Sequence, residues 1–192
     1  MTRSKRLAVL AHAVVAAIFL PGIAQAGLLG DTVFVRWAHP NFASSFSGPE
    51  AAVVGVGTEI NCPGAYTLCS GYGSGDVDID FGDLSITHTH NYGPGTYAAT
   101  AYNGFAYTSL NVGGAGITGF NLFTNIAGLD VSRVSFGIDF ININVASLDF
   151  DRGSYYTLEL VSGAGSAVPE PATGLLLAGG LAAMLRRRAR RA

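Results

Sequence analysis

Four aspartates form the densest group of potential metal ligands in this sequence: Asp76, Asp78, Asp80 and Asp83. Carboxylate oxygens are ligands that Ca²⁺ prefers, but an EF-hand loop also requires Gly at its sixth position and Glu at its twelfth. Here those positions hold Phe81 and Thr87, so the segment is not an EF-hand. The alternation predicts a strand with Val77, Ile79 and Phe81 facing inward and the aspartates outward. A calcium site on that acidic face is the alternative.

Two histidines, His88 and His90, stand two residues apart in the next alternating segment. This spacing places both side chains on one face of a strand. Imidazole is a common metal ligand, but a third ligand is not evident, so metal binding is the minor alternative to a structural role. Thr87 and Thr89 occupy the other face, and one Thr-x-Thr without repeats does not make the regular threonine row of an ice-binding surface.

The sequence lacks the motifs of common catalytic sites. It has no Gly-x-Ser-x-Gly elbow, and no Gly-rich stretch precedes a helix to cradle phosphate. We therefore expect no enzyme activity, although a dispersed carboxylate pair for glycoside hydrolysis stays open. Aromatic side chains for stacking on sugars are present, and the alternative for each is packing within the fold. These residues are Trp37, Tyr66, Tyr72, Tyr92, Tyr97, Tyr102, Tyr155 and Tyr156.

The elements that position these residues are predicted to be strands. The central part of the chain is rich in Gly, Thr, Val, Ile, Tyr, Phe and Asn, a composition that favours strands and turns. Gly82-Asp83 is a turn dipeptide between two alternating runs and predicts a hairpin. Many short strands with Gly and Asn turns predict an all-β, antiparallel β-sandwich of jelly-roll type. The predicted strands are residues 32–37, 51–60, 77–81, 84–90, 105–110, 116–123, 133–145 and 155–161.

The segment 133–145 changes its pattern midway. Its apolar residues stand at even-numbered positions up to Phe140 and at odd-numbered positions from Ile141 onward. Side chains alternate between the faces of a strand, so the switch predicts a bulge or a corner where the strand changes sheets. Gly55 and Gly57 similarly suggest a bulge or a close approach within 51–60.

Residues 1–26 have the features of a secretory signal peptide. Arg3, Lys5 and Arg6 precede an apolar stretch at 7–20, and Ala24 and Ala26 are the small residues that a signal peptidase requires. This predicts export through the Sec translocon and cleavage before Gly27. An uncleaved N-terminal anchor is the alternative.

The charge of the exported part excludes one class of partner. Between residues 27 and 167 there are twelve acidic residues but only Arg36, Arg133 and Arg152 as bases, a net charge near −9. Nucleic acid is therefore not an expected partner, because phosphate binding requires positive charge. Cys62 and Cys69 are the only cysteines. In an oxidising exported compartment they predict a disulfide across a Pro-Gly turn, whereas a metal or redox pair lacks supporting ligands or spacing.

The last 25 residues, 168–192, have three parts in order. A rigid break at Val168, Pro169, Glu170 and Pro171 is followed by an uncharged apolar run. We expect a transmembrane helix at about 172–185, with its basic end on the cytoplasmic side. A short helix docked on the protein core is the alternative. The basic cluster is Arg186, Arg187, Arg188, Arg190 and Arg191.

This order of break, apolar span and arginine cluster resembles the PEP-CTERM sorting tail of Gram-negative surface proteins. The resemblance implies that an exosortase processes the chain near Pro169-Glu170-Pro171, with the inner membrane as its anchor until then. The destination it implies is the cell surface or the extracellular matrix. Pieces of 51–160 also resemble small exported β-proteins with such tails: 55–60, 78–81, 103–105, 117–119 and 134–144. That resemblance implies no activity.

Four regions are therefore predicted: a signal peptide at 1–26, an exported β-sandwich at 27–161, a flexible linker at 162–167 and the sorting tail at 168–192. The leading hypothesis is a structural or interaction protein of the envelope or exopolysaccharide, with no cofactor. The alternative is a carbohydrate-binding module, assisted by calcium, on the face formed by residues 76–83.

Overall fold

The structure is a computed structural model that describes residues 27–73, 75–112 and 116–163. These residues form twelve strands and two short 3₁₀-helices, Thr67–Gly71 and Val131–Arg133. The strands are β1 (Thr32–Ala38), β2 (Ser45–Val53), β3 (Ile60–Cys62), β4 (Val77–Gly82), β5 (Ser85–His90), β6 (Gly95–Thr96), β7 (Gly104–Thr108), β8 (Ile117–Thr124), β9 (Val134–Phe136), β10 (Phe140–Asn144), β11 (Asp149–Phe150) and β12 (Tyr155–Ser162).

Ten of the described strands build two five-stranded sheets. The front sheet has the order β2-β1-β7-β10-β9, and the back sheet has the order β3-β4-β5-β12-β8. Strands β6 and β11 form a small separate pair. Every described pairing is antiparallel, which confirms the predicted antiparallel all-β class. Strands distant in sequence, such as β1 and β7, are neighbours through crossovers.

The core consists of apolar side chains that alternate with outward-facing ones along each strand. In β7, for example, Phe105 and Tyr107 are fully buried. Each large apolar side chain removed from water contributes about 1.5–3 kcal/mol, so this burial drives folding. Other core residues are Val33 and Val35 of β1, Val77, Ile79 and Phe81 of β4, Ile86 of β5, Ile141 and Ile143 of β10, and Tyr156, Leu158 and Leu160 of β12.

Most predicted strands are found within two residues of the expected bounds. The hairpin of β4 and β5 is confirmed, but Gly82 pairs with Ser85, so the two-residue turn is Asp83-Leu84, one residue later than the predicted Gly82-Asp83. The segment 51–60 is different, since β2 ends at Val53 and β3 begins at Ile60. The Glu59 carboxylate accepts hydrogen bonds from the Gly55 N–H (2.8 Å) and the Phe81 N–H (2.7 Å) and holds the intervening loop.

The predicted bulge or corner at Phe140-Ile141 is wrong. Strands β9 and β10 are two arms of one hairpin in the front sheet, with Phe136 opposite Ile141. The Gly137 N–H donates to the Phe140 carbonyl at 2.9 Å and closes the turn. A side chain on Gly137 would overlap the Phe140 ring. The apolar residues shift from even-numbered to odd-numbered positions because the chain reverses direction between the two strands.

The disulfide between Cys62 and Cys69 is present, with a Cα–Cα distance of 5.3 Å. It joins the end of β3 to the first 3₁₀-helix. Glu50 of β2 accepts a hydrogen bond from the Thr67 N–H at 2.6 Å, and the Ser47 hydroxyl donates to the Leu68 carbonyl at 3.1 Å. The bridge therefore fixes a loop that also packs on the edge of the front sheet.

Both terminal predictions lie outside the described residues. These are the signal segment 1–26, including Ala24 and Ala26, and the tail 168–192 with the expected helix at 172–185 and the arginine cluster. Across 27–73, 75–112 and 116–163, no helix has the length and apolar character needed to cross a membrane. Gly27, the expected mature N-terminus, is the first described residue, and the next N–H, of Leu28, donates to the Asp83 carbonyl at 2.7 Å.

Candidate functional site

A cleft of about 730 Å³ lies on the outer face of the front sheet. Its size is within the usual range for ligand sites in proteins. It is lined by Phe34, Val35, Arg36, Phe42, Pro49, Tyr102, Ala106, Thr108, Ser135, Phe136, Asp139, Phe140 and Asn142. Aromatic rings and uncharged polar groups predominate in this lining.

Strand register places the cleft residues in two rows across the sheet. Directly opposite residues in antiparallel strands point to the same face. One row consists of Phe34, Thr108 and Phe140, from β1, β7 and β10. The next row consists of Arg36, Ala106, Asn142 and Ser135, and it extends into β9. Because Ala106 and Thr108 have small side chains, the floor of the cleft at the centre of the sheet lies deeper than the larger side chains on the neighbouring strands.

Loop residues close one end of the cleft. The rings of Phe42 and Tyr102 meet edge to face, with centroids 5.2 Å apart. The Arg36 guanidinium lies 5.2 Å from the Phe42 ring centre, and its Nη1 donates to the Phe42 carbonyl at 3.0 Å. The Tyr102 hydroxyl donates to the Ile143 carbonyl at 3.1 Å. These contacts fix both rings against the sheet.

Electrostatics keep the Tyr102 side chain neutral. Burial raises the pKa of Tyr102, and the nearby Arg36 charge offsets only part of that rise. The phenol is therefore protonated at physiological pH and acts as a donor. Its aromatic face is the part offered to the cleft.

The cleft also contains hydrogen-bond acceptors that protein groups leave unused. Asn142 is only 6% exposed, and its Nδ2 donates weakly to the Ser135 hydroxyl at 3.4 Å. Its Oδ1 is buried and has no partner in the described part of the chain. An unpaired buried acceptor is unfavourable by about 1–3 kcal/mol, so a ligand donor at this point would be stabilising. The exposed Asp139 at the rim contributes a carboxylate.

The sequence-predicted histidines lie elsewhere, in the core between the sheets. His88 and His90 share one strand face, as expected, and both are fully buried. His88 Nε2 lies 3.2 Å from the Tyr72 hydroxyl, and its Nδ1 lies 3.0 Å from the Tyr156 hydroxyl. His90 Nε2 lies 2.8 Å from the Tyr97 hydroxyl. The arrangement is a buried histidine–tyrosine network, defined here by these five residues and Tyr107.

Burial determines the charge state of this network. It lowers the pKa of His88 well below the usual value, with a further contribution from His90, and lowers the pKa of His90 to about 4. Both rings are thus neutral at pH 7. No group of three or more His, Cys, Asp or Glu side chains in the described ranges is arranged to hold a metal ion. Tyrosine hydroxyls lie within hydrogen-bond distance of both ring nitrogens of His88 and of Nε2 of His90.

The aspartates of β4 face outward, and Val77, Ile79 and Phe81 face the core, as predicted. Asn91 Nδ2 donates to Asp78 Oδ2 at 2.8 Å and to Asp76 Oδ1 at 3.2 Å. Asn61 Nδ2 donates to Asp78 Oδ1 at 2.5 Å. Amide groups therefore connect two of the four candidate calcium ligands, while Asp80 lies further along the strand and Asp83 in the turn.

Only part of the predicted aromatic set is available for stacking. Tyr72, Tyr97 and Tyr156 are buried in the core, and Trp37 packs against it with its Nε1 donating to Asn103 Oδ1 at 2.7 Å. Among the eight predicted aromatics, Tyr102 is the one that lines the cleft.

Sequence reasoning missed the phenylalanines of the cleft and the polar row. One signal was available: Phe34 and Arg36 alternate with the valines of β1, so their side chains are expected on the outer face of the sheet. A large ring at an outward position, two residues from the first of only three bases in 27–167, distinguishes this strand from its neighbours.

Comparison with known proteins identifies the tail. Residues 167–191 match the family model of the PEP-CTERM protein-sorting motif. The motif supports an exported protein sorted by an exosortase, as the resemblance implied. Such a motif implies export and membrane-anchored processing before display at the cell surface. No curated protein and no solved structure matches the chain.

Proposed function

We propose that the β-sandwich is a non-enzymatic binding module that attaches to polysaccharide of the envelope or extracellular matrix through the front-sheet cleft. The observation that carries this proposal is the combination, in one cleft, of fixed aromatic rings and unpaired hydrogen-bond acceptors. The proposal joins the sorting destination to a specific surface of the domain.

The rings provide the apolar part of such a site. A sugar ring presents C–H groups on its faces and hydroxyl groups around its edge. Phe34 and Phe140 flank Thr108, and Phe42 with Tyr102 closes the other end. Rings held in place before binding lose little conformational entropy when a ligand covers them. Stacking on these faces orients the sugar above the low centre of the sheet.

The polar row provides orientation. Asn142, Ser135 and Asp139 lie beside the rings, where the hydroxyl edge of a stacked sugar would reach. A few polar groups within a mainly aromatic pocket are the usual basis of small-ligand specificity. The face of β4 is the weaker alternative for carbohydrate, because its Asp76 and Asp78 are already hydrogen-bonded to amides.

Replacing Ala106 with Trp tests the proposal. The bulky side chain would fill the low centre of the cleft without altering the core face of β7. The full chain would be produced in an exosortase-bearing host, and co-sedimentation of the mature protein with insoluble matrix polysaccharide would be measured. We expect native protein in the pellet and A106W in the supernatant.

A matched control is Thr157→Trp, on the outer face of the back sheet. Its partner Thr87 bonds to it at 3.0 Å, so this change also places a bulky ring at a central outward position. It should leave co-sedimentation intact. Equal binding by native protein and A106W, with both folded by circular dichroism, would contradict the proposal.

A further inference from the structure

We infer that the cleft selects uncharged, hydroxyl-rich glycans over acidic ones, and that Asn142 Oδ1 accepts a hydrogen bond from a ligand hydroxyl. This inference rests on the proposed function and narrows it to a class of polysaccharide and one specificity-determining atom. It follows from which hydrogen-bonding groups in the cleft are already used.

Several donors of the cleft already serve protein acceptors. Arg36 Nη1 donates to the carbonyls of Phe42 (3.0 Å) and Ser44 (3.4 Å). The Tyr102 hydroxyl donates to the Ile143 carbonyl. The Asn142 amide donates to Ser135. A carboxylate or sulfate group on a glycan accepts hydrogen bonds only, so it could use the donors that remain but not the free acceptors, whereas a sugar hydroxyl can use both.

Two side-chain acceptors of the cleft make no hydrogen bond within the described chain. Asn142 Oδ1 is buried and unpaired in the described chain, and the Asp139 carboxylate makes no side-chain hydrogen bond that the described ranges show. A sugar hydroxyl can donate to either oxygen. An acidic sugar brought to this rim would instead place a second negative charge near Asp139, and like charges repel.

The charge of the whole domain also disfavours acidic glycans. Twelve acids against three bases between residues 27 and 167 create a negative field that lowers the encounter rate with polyanions. Within the cleft Arg36 and Asp139 nearly cancel, so a polycation gains no net attraction at the site itself. An uncharged glycan is not repelled by this negative field.

Three soluble probes test the inference by titration calorimetry with the mature protein purified from the exporting host. They are a neutral β-glucan fragment, an alginate fragment and a partly deacetylated chitosan fragment, each at 150 mM salt. We expect the β-glucan to bind at least about tenfold more tightly than alginate, since one unmet hydrogen bond changes affinity by that order. Tighter binding of alginate than of β-glucan would overturn the inference but leave polysaccharide binding intact, whereas the chitosan fragment reports the non-specific attraction of the negative domain for a polycation.

Binding of none of the three probes, together with failure to sediment with matrix polysaccharide, would count against the proposed function itself. The role of Asn142 is tested by two substitutions. Asn142→Asp keeps the acceptor and should retain β-glucan binding, whereas Asn142→Leu removes it and should weaken binding about tenfold. Loss of binding in N142D, with a folded protein, would show that the amide acts as a donor and would overturn the assignment.

Discussion

The hydroxyl groups of Tyr107 and Tyr156 meet at 2.7 Å between the two sheets. Tyr107 belongs to β7 of the front sheet and Tyr156 to β12 of the back sheet, and both are fully buried. His88 Nδ1 lies within 3.0 Å of the Tyr156 hydroxyl, so the pair is part of the histidine–tyrosine network. A polar contact thus joins two layers that are otherwise held by apolar packing.

Tyr156→Phe should lower the free energy of unfolding by about 1–3 kcal/mol, because it leaves the Tyr107 hydroxyl and His88 Nδ1 with only the long contact of 3.5 Å between them. Urea denaturation measures this change. Tyr155→Phe, at a more exposed neighbouring position, is the control and should be nearly neutral. The double variant Y107F/Y156F should lose less unfolding free energy than the sum of the losses in the two single variants. Strict additivity would show that the hydrogen bond does not couple the sheets.

Stability should fall in mild acid. The pKa of His90 drops from 6.5 to about 4 on folding, and that of His88 falls well below 6.5, so the unfolded chain binds more protons below pH 6.5. The stabilisation is complete above pH 6.5 and is lost as the pH falls toward 4. Thermal melts between pH 7.5 and 4 measure it. His90→Phe should remove the part of this pH dependence that His90 contributes. A profile that is level in the native protein would contradict the burial of neutral histidines.

Removing the disulfide by Cys62→Ala with Cys69→Ala should destabilise the domain by about 2 kcal/mol, since the bridge closes only a short loop. Urea denaturation of the mature exported protein measures this. Glycan binding should persist below the transition, because the bridge lies outside the cleft. Loss of binding in a folded double variant would place the 3₁₀-helix loop in the site.

Calcium should leave the melting temperature within about one degree of its value in EDTA, since amide donors already occupy oxygens of Asp76 and Asp78. Asn91→Leu removes both of its donors and should destabilise the hairpin through carboxylate repulsion. Calcium should then restore part of the loss. A marked calcium-dependent rise in the native protein would support the calcium site that the sequence suggested.

Strand positions and the core were predictable because their signal is local. The alternation of Val77, Ile79 and Phe81 fixes which face of β4 is buried, whatever the rest of the fold does. The cleft was not predictable in this way. Its rows join β1, β7, β10 and β9, and only the crossover order brings Phe34 opposite Thr108 and Ala106 opposite Asn142.

The two misjudged segments show where local rules fail. The segment 51–60 resembles one strand, yet it is the end of β2, a loop and the start of β3, because the Glu59 carboxylate holds the loop through the N–H groups of Gly55 and Phe81. The shift of the apolar pattern before Ile141 resembles a bulge, yet it marks a hairpin turn between β9 and β10, where Gly137 leaves room for the Phe140 ring. Both outcomes depend on which strand lies alongside.

The most direct test of the account is chemical-shift mapping of the mature protein during titration with a neutral oligosaccharide fragment. The account predicts that the perturbed amides cluster along the outer rows of the front sheet, at Phe34, Ala106, Thr108 and Asn142. Perturbations confined to the back sheet, around Asp78 and Thr89, or their absence at saturating oligosaccharide, would contradict it.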